Sequence, residues 1–518
     1  MSSDRSTRGS AGDMLFGMGS KLLYAVTRVG LPPLALAHMG LAEYGLWAAC
    51  FVLVGYIGMA ASGFTLVYLR TTAQHHAKQD IPAIGRLLST GIMCMGSLAL
   101  VLLAGLWLGL PWLLNFFHVA PEQQPLATDL WLGAVAVFLA DMSLGAFANV
   151  LHAIGRLRQE QQVWMAAFIV EAVLIVAFLT AGWGVRGLLA AFAGRYLFSA
   201  STNAWLAFRA LPGLRLSFGG FDRSLLRLFF GFGAGMQISG LIATALHSAD
   251  RMLASALLGP EATALVDLAA KLPVTAGALS SSASSVAESA SARHEAHGQH
   301  EALRDVYLDA TRITVASLAL AMPFLACFSA PLTMAWLGNG RHDAQTLVAP
   351  LMAMLSVGMH LHMLTGPANA VNRGLGRLIA DYTYHGMRIV TLAIGVGLWY
   401  AWGVSSTPTL VAAIALAQCT SAFIYLAYSH RRLNGAWEGL GARLIVPTAA
   451  AYALAWLIQA VVPLSAGTGR ASALLTLSVL GLIWFPAAAA LMSVLLLTAA
   501  ERQSLWLRVK GFRSWRRT

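Results

Sequence analysis

Charged residues are scarce in this chain. Asp, Glu, Lys and Arg make up 11% of its 518 residues and hydrophobic residues make up 58%, whereas soluble domains carry roughly 25% charged residues. A chain of this composition cannot enclose all its apolar side chains in water-soluble cores. We therefore exclude a soluble protein and expect lipid to be the main solvent.

The sequence also lacks the short motifs of several enzyme classes. It contains no Walker A loop, no Gly-x-Ser-x-Gly elbow and no His-Glu-x-x-His motif, so we expect no enzymatic activity, no cofactor and no metal. Its polar first 13 residues lack the apolar core of a cleaved signal peptide. Four cysteines lie within apolar runs and predict no disulfide framework; they are Cys50, Cys94, Cys327 and Cys419.

Apolar stretches of about 20 residues recur along the whole length, and each can cross about 30 Å of hydrocarbon as a helix. Helices are favoured over barrel strands because the stretches are continuously apolar and do not alternate. The expected fold is an all-α polytopic membrane protein with about fourteen transmembrane helices. The predicted spans are 14–37, 43–69, 87–113, 126–151, 163–182, 186–208, 226–257, 262–290, 306–336, 346–371, 378–401, 408–428, 444–462 and 472–498.

Basic residues are distributed unevenly between the two ends of these spans. With the amino terminus in the cytoplasm, the cytoplasmic segments hold 25 Lys and Arg residues, and the opposite segments hold only Arg186, Arg341 and Arg470. This asymmetry follows the positive-inside rule and predicts a bacterial inner-membrane protein with both termini in the cytoplasm. The basic tail at 499–518 carries aromatic residues among its arginines. We expect it to contact anionic membrane lipids and not nucleic acid.

Short motifs recur in the second half of the chain at an offset of about 214 to 221 residues, which indicates duplication. Six spans separate matched positions, so the two halves enter the membrane with the same orientation. This pattern predicts two pseudo-symmetric six-helix lobes with a cleft between them, whose rocking gives alternating access. One matched pair is Gly155-Arg156-Leu157 and Gly376-Arg377-Leu378. The predicted domains are a cytoplasmic tail at 1–13, an amino-terminal lobe at 14–215, a carboxyl-terminal lobe at 216–432, two further spans at 433–498 and the basic tail at 499–518.

Ionisable residues within the spans are candidates for function, because a charge at mid-helix costs about 2.5 to 3.5 kcal/mol on an insertion scale. Lys21 and Arg28 share one face of span 1 and have no acidic neighbour within that span. Asp267 and Lys271, four residues apart, are expected to pair. An alternative is that all these charges form structural ion pairs. The cations are Lys21, Arg28, Arg195, Arg251, Lys271 and Arg388, and the carboxylates are Asp141, Glu171, Asp250, Asp267, Glu288 and Asp381.

A cationic cavity suits an anionic cargo. The phosphates of a lipid-linked sugar diphosphate can be held bidentately by arginine and by lysine as a point charge. The buried carboxylates Asp141, Glu171 and Asp381, with Asp250 and Asp267 as further candidates, could instead take up H⁺ or Na⁺ for coupling. Four histidines also lie within spans, and each is either a proton-relay member or a satisfied polar group; they are His247, His360, His362 and His385.

Two patches of sequence resemble the O-antigen and exopolysaccharide flippases of the multidrug/oligosaccharidyl-lipid/polysaccharide (MOP) exporter superfamily. The first patch, in the amino-terminal half, consists of Leu31-Pro32-Pro33, Met39-Gly40-Leu41-Ala42-Glu43-Tyr44-Gly45-Leu46-Trp47, Ser62-Gly63-Phe64 and Leu87-Leu88-Ser89-Thr90-Gly91. The second patch consists of Ala249-Asp250-Arg251, Leu258-Gly259-Pro260-Glu261-Ala262 and Leu268-Ala269-Ala270-Lys271-Leu272. The resemblance runs over about the first 440 residues. It departs from the family at Ala264-Leu265-Val266, where family members often have Gly-x-Tyr.

The resemblance implies two lobes of six spans plus two further spans. It implies export of undecaprenyl-diphosphate-linked oligosaccharide for polysaccharide biosynthesis, driven by an ion gradient, and other polysaccharide-assembly membrane proteins as partners. It carries the cationic cavity over to Lys21, Arg28, Arg251 and Lys271, with Arg195 and Arg388 as weaker candidates. Two alternatives are a multidrug cation antiporter of the same superfamily, which needs an anionic cavity, and a membrane-bound glycosyltransferase or polymerase.

Overall fold

The computed structural model describes residues 27–231, 234–338, 344–434, 439–462 and 469–503. Throughout these ranges the regular structure is helical, with no strand. The chain divides into two compact units, unit 1 at Met1–Asp267 and unit 2 at Leu268–Thr518. The predicted lobes at 14–215 and 216–432 stay a prediction.

The helices are numbered in chain order. They are α1 (27–38), α2 (Leu41–Ala77), α3 (Ile81–Phe116), α4 (Gln124–Leu144), α5 (Ala146–Ala153), α6 (Leu157–Thr180), α7 (Gly184–Ala210), α8 (Arg223–Gly231), α9 (Ala234–His247), α10 (Ala249–Leu258), α11 (Pro260–Ala296), α12 (His300–Cys327), α13 (Ser329–Leu337), α14 (Ala344–Leu364), α15 (Gly366–Gly374), α16 (Leu378–Ala401), α17 (Thr407–Asn434), α18 (Val446–Val461) and α19 (Arg470–Leu496).

Over the described residues, predicted spans 2 to 14 each coincide with one helix or with consecutive helices, and the second half of span 1 coincides with α1. Among the described residues, nine helical stretches are long and apolar enough to cross a membrane, and the two parts of α11 supply a tenth. The fold is therefore an all-α, multi-pass membrane fold, with which the predicted count of fourteen spans is consistent. The first half of span 1, including Lys21, lies outside the described residues.

Several spans that were predicted as single helices are broken into shorter helices in the structure. Span 7 is broken between α9 and α10 at Ser248, span 4 between α4 and α5, and span 10 between α14 and α15. The break between α4 and α5 lies at Gly145, and that between α14 and α15 at Thr365, immediately before Gly366 and Pro367. Glycine and proline weaken a helix interior, so these breaks have a local cause.

The repeated sequence motifs correspond to repeated structural boundaries. Gly155 and Gly376 have positive φ angles of 80° and 68°, which is the left-handed region that glycine enters without steric cost. The next residue in each case is the N-cap of the following helix, Arg156 for α6 and Arg377 for α16. Both copies of the motif thus end one helix and begin the next.

Unit 1 packs around α2. A Cβ at Gly45 would overlap the carbonyl oxygen of Pro260, so the absence of a side chain lets the start of α11 lie directly on α2. Farther along α2, the Tyr68 ring meets the Phe229 ring of α8, with centroids 5.4 Å apart. These contacts join α8 through α10 and the start of α11 to the helices of unit 1.

The last two helices of unit 2 pack against α12 and α13. Trp484 of α19 is fully buried, and its indole N–H donates to the carbonyl oxygen of Leu320 at 2.8 Å. Arg470, the first residue of α19, donates to the carbonyl oxygens of Ala335 and Trp336 at 2.9 Å each. The arginine satisfies carbonyls that the end of α13 leaves without helical partners.

Large apolar side chains cover much of the outer surface. Leu100, Leu416 and Leu482 are more than two-thirds exposed, which is expected only where lipid surrounds a helix bundle. Trp183 and Trp402 are also exposed, in the turns that follow α6 and α16. Tryptophan at helix ends is typical of the membrane–water interface.

Candidate functional site

Two arginines of unit 1 converge on one buried carboxylate. Oε2 of Glu171, in α6, lies 3.4 Å from Nε of Arg195 in α7 and 3.7 Å from Nη2 of Arg28 in α1. The Glu171 side chain is 3% exposed, Arg195 is 10% exposed and Arg28 is 25% exposed. Three apolar helices therefore bring together one negative and two positive charges in their interior.

Aromatic rings surround this group. The Arg195 guanidinium carbon lies 4.0, 4.8 and 5.1 Å from the ring centres of Tyr196, Phe168 and Phe192. The Arg28 guanidinium carbon lies 5.5 Å from Phe51 and 5.7 Å from Phe168. Such cation–π contacts stabilise a charge away from water by about 2 kcal/mol. They help to explain why arginines are tolerated here.

A second charged group in unit 1 is centred on Asp267. Its Oδ1 lies 3.4 Å from Nη1 of Arg251, and its Oδ2 accepts a hydrogen bond from the Tyr44 hydroxyl at 3.0 Å. Arg251 also lies 3.7 Å from Asp250. The predicted partner of Asp267 was Lys271, and that pair stays a prediction. The structure shows contacts with Arg251 and Tyr44, which come from other helices.

The two groups lie at similar depth. Glu171 precedes the end of α6 at Thr180 by nine residues, and Asp267 follows the start of α11 at Pro260 by seven. At 1.5 Å per residue both lie within about 14 Å of helix ends opposite to those that carry the basic loops. Arg251 is seven residues from the end of α10 at Leu258. Glu171, Asp267 and Arg251 thus each lie within about 14 Å of the same kind of helix end.

Asp141 is set apart from these ion pairs. It lies in α4, seventeen residues after Gln124, and no described cation lies within ion-pair distance of its carboxylate. The charge of Arg195 still acts on it electrostatically. Asp141 remains a candidate for uptake of a coupling ion.

Unit 2 holds a different kind of polar group. Arg373 of α15 lies 3.5 Å from Asp381 of α16 and 3.2 Å from Glu288 of α11. Arg388, also in α16, is buried with its guanidinium carbon 5.9 Å from the ring centre of Tyr384. Besides Arg388, Tyr384 contacts a histidine and a tyrosine, so this polar group differs from the two arginines around Glu171.

The arginines of the predicted cationic site lie beside carboxylates in the structure. In unit 1, Arg28 and Arg195 face one carboxylate, so the Glu171 group has one positive charge in excess. Arg251 faces Asp250 and Asp267, so the Asp267 group has one negative charge in excess. Sequence reasoning sought acidic neighbours of Arg28 only within span 1, and it missed Glu171 on another helix. Lys21 lies outside the described residues, and Lys271 is half-buried on α11. Across the described ranges, no cluster of three or more His, Cys, Asp or Glu could hold a metal ion.

Sequence reasoning also missed the aromatic residues of the site. Phe168 lies three residues before Glu171. Phe192 lies three residues before Arg195, and Tyr196 follows Arg195 directly. A ring one helical turn from an intramembrane arginine is a signal that could have identified the first two. Tyr44 offered no such signal, because Asp267 is far from it in sequence.

No protein-family profile matches this chain, and no curated protein matches it by sequence. Solved structures do share its fold. A lipid II flippase MurJ in an inward closed conformation superposes with a TM-score of 0.70 at 12% identity, covering 93% of this chain and 98% of MurJ. A multidrug resistance MATE family transporter of the MOP superfamily superposes with TM-scores of 0.63 inward-facing and 0.53 outward-facing. The inward-facing structure is 17% identical, and the match covers 82% of this chain and 95% of the MATE chain. The outward-facing structure is 15% identical, and the match covers 82% of this chain and 94% of the MATE chain.

Proposed function

We propose that this protein is a flippase that moves an undecaprenyl-diphosphate-linked oligosaccharide from the cytoplasmic to the periplasmic leaflet for polysaccharide biosynthesis. The observation that carries the proposal is the convergence of Arg28 and Arg195 on Glu171 inside apolar helices. Two guanidinium groups around one carboxylate leave one positive charge in excess. That excess suits a phosphate-bearing cargo better than a cationic drug.

The remaining intramembrane cations extend the proposal. Lys21, seven residues before Arg28, would present its ammonium on the same face of span 1, two turns away. Arg251 and Lys271 lie on α10 and α11, and Arg388 lies on α16. In this proposal Lys21, Arg28 and Arg251 are the candidates that hold the diphosphate, and Arg195, Lys271 and Arg388 are further candidates.

The fold comparison supports transport of a lipid-linked molecule. MurJ, whose name states that it flips lipid II, covers 93% of this chain, whereas the MATE structures cover 82%. The additional coverage is consistent with helices beyond a twelve-span core. At these identities the comparison shows the fold, and the substrate is inferred from the charges.

Ion coupling belongs to the same proposal. A carboxylate within a span and without a close cation can exchange H⁺ or Na⁺. Among the described residues, Asp141 is such a carboxylate, half-buried on α4. Asp250, Asp267 and Asp381 are further candidates, although each has a charged or hydroxyl neighbour. We propose the bacterial inner membrane as the location, with both termini in the cytoplasm and anionic lipids around the basic tail.

Loss of the cations tests this function in cells. Lys21→Ala and Arg28→Ala should each abolish surface polysaccharide in a strain that depends on this protein, while membrane levels of the tagged protein stay normal. Arg209→Ala is the matched control, since Arg209 is an exposed residue of α7 that stacks on Trp205. Normal polysaccharide from the Lys21→Ala/Arg28→Ala double variant would contradict the cationic mechanism.

A multidrug cation antiporter is the second candidate. It is favoured by the MATE-like fold and by the four carboxylates near the unit 1 arginines, which are Asp141, Glu171, Asp250 and Asp267. Efflux of a cationic dye such as ethidium separates the two functions. The flippase proposal predicts no protein-dependent efflux, and efflux that is lost in Asp141→Asn would favour the antiporter.

A further inference from the structure

Glu171 is the centre of the buried charge group, and its contacts are long. Its Oε2 atom lies 3.4 Å from Nε of Arg195 and 3.7 Å from Nη2 of Arg28. Close hydrogen-bonded pairs of arginine and carboxylate place such atoms about 2.7 to 2.9 Å apart. One carboxylate oxygen therefore serves two guanidinium groups without a close contact to either.

The two arginines are held to different degrees. Three rings enclose Arg195, the nearest at 4.0 Å from its guanidinium carbon. Arg28 is more exposed than Arg195, at 25% against 10%, and its guanidinium carbon lies 5.5 and 5.7 Å from the ring centres of Phe51 and Phe168. Because it is the more exposed of the two, Arg28 is the arginine that a ligand can reach.

A diphosphate competes with a carboxylate for such an arginine. It offers several oxygens in the geometry that a guanidinium group binds bidentately, and it carries more negative charge than one carboxylate. The contact of Arg28 with Glu171 is made by Nη2, and the same N–H groups cannot point at Glu171 and at a phosphate together. A phosphate that binds Arg28 bidentately through Nη2 would therefore replace the contact with Glu171.

We propose that Glu171 is a resident counter-anion, which holds Arg28 when no cargo is bound and reclaims it when the cargo leaves. This inference rests on the proposed function and adds the regulation of its site. The carboxylate limits how tightly the diphosphate binds and so permits release on the far side of the membrane. Glu171 acts through Arg28 and is a positioning residue.

Binding of farnesyl diphosphate to the purified protein in lipid nanodiscs tests the inference. Glu171→Gln keeps the size of the side chain and removes its charge, so it should bind this probe about tenfold more tightly, which corresponds to about 1.4 kcal/mol. The rate of probe dissociation should fall with it. Glu160→Gln is the matched control, because Glu160 is half-buried on the same helix eleven residues earlier. It should bind as the wild type does.

A double variant shows whether the effect passes through Arg28. Arg28→Ala should weaken binding of the probe, and Arg28→Ala/Glu171→Gln should bind as weakly as Arg28→Ala alone. If Glu171→Gln does not fold, Glu171→Asp takes its place, since it keeps the charge but draws the carboxylate back. A smaller increase in affinity is then expected.

Two outcomes separate this inference from the proposed function. If Arg28→Ala weakens binding but the folded Glu171 variant binds no more tightly than the wild type, the counter-anion role is overturned and the proposed function stands. If Arg28→Ala binds the probe as well as the wild type does, the proposed function itself fails at Arg28. Farnesol, which lacks the diphosphate, should bind all variants equally.

Discussion

The helix pairs α6–α7 and α16–α17 begin with the same structural motif, yet their interiors differ in chemistry. In unit 1, α6 and α7 place Glu171 beside Arg195. In unit 2, α16 places Arg388 beside Tyr384, whose hydroxyl hydrogen-bonds to His362 at 2.6 Å. The two pairs thus share the structure of their first helix boundary, while their interior polar residues differ.

This difference indicates where an anionic cargo would be recognised. Permanent charges in unit 1 can attract and orient phosphate, whereas hydrogen bonds from uncharged groups such as the Tyr384 hydroxyl bind phosphate more weakly. We therefore propose that charge recognition lies in unit 1. Substitutions in each unit test this proposal, and the largest effect is expected in unit 1.

Replacing Arg195 should have the largest effect on stability. Arg195→Ala removes one partner of a buried ion pair and empties the space among three rings, which costs about 3 to 5 kcal/mol. Arg195→Lys keeps the charge and loses the planar stacking, so its loss should be smaller. Thermal unfolding of the purified protein in detergent measures both.

Arg209→Lys is the control for this series, because Arg209 stacks on Trp205 at the exposed end of the same helix. Its unfolding temperature should equal that of the wild type. An Arg195→Ala protein as stable as the wild type would contradict a structural role for the charge group.

Replacing Tyr384 should have a smaller effect. Tyr384→Phe removes the hydroxyl that bonds to His362 and keeps the ring beside Tyr425, with centroids 4.7 Å apart. The expected loss is about 1 kcal/mol, the net contribution of one hydrogen bond. Tyr428→Phe is the matched control, since the hydroxyl of Tyr428 bonds to Arg432 at the exposed surface. A loss of transport as complete as that of Arg28→Ala would contradict the assignment of charge recognition to unit 1.

The smallest effect is expected at Glu501, outside the spans. Hydrogen bonds from the Thr498 backbone N–H, the Arg312 guanidinium and the Thr498 hydroxyl lower the pKa of Glu501 to about 2. Because this pKa is depressed on folding, the contribution to stability is present above the unfolded pKa of roughly 4.3 and is lost as pH falls through about 2. Unfolding temperatures of wild type and Glu501→Gln should differ above pH 5 by a constant small amount. Their difference should vanish as pH approaches 2, and a difference that instead grows with acidity would contradict this pair.

The spans could be predicted from the sequence because lipid imposes long apolar runs on a helix that crosses it. The helix α7 was predicted although Arg186, Arg195 and Arg209 interrupt its hydrophobicity. It is not among the nine described stretches that are apolar enough to cross a membrane, so its span stays a prediction. The breaks inside spans were missed. Gly145 offered a cue to one of them, but a single glycine within an apolar run is common in membrane helices.

The partners of the intramembrane charges were beyond a single sequence. Periodicity shows which residues share a face of one helix, as it did for Lys21 and Arg28, but it does not show which helices are neighbours. Glu171 meets Arg28 across more than 140 positions of sequence, and Tyr44 meets Asp267 across 223. These contacts depend on helix packing, which no local pattern encodes.

The most direct test of the account is flipping of a fluorescent undecaprenyl-diphosphate sugar by the purified protein in proteoliposomes. The wild type and Arg209→Ala should move the probe to the opposite leaflet at equal rates, and Arg28→Ala should reduce the rate to that of protein-free vesicles. Flipping by Arg28→Ala at the wild-type rate would contradict the claim that the arginines of unit 1 recognise the diphosphate.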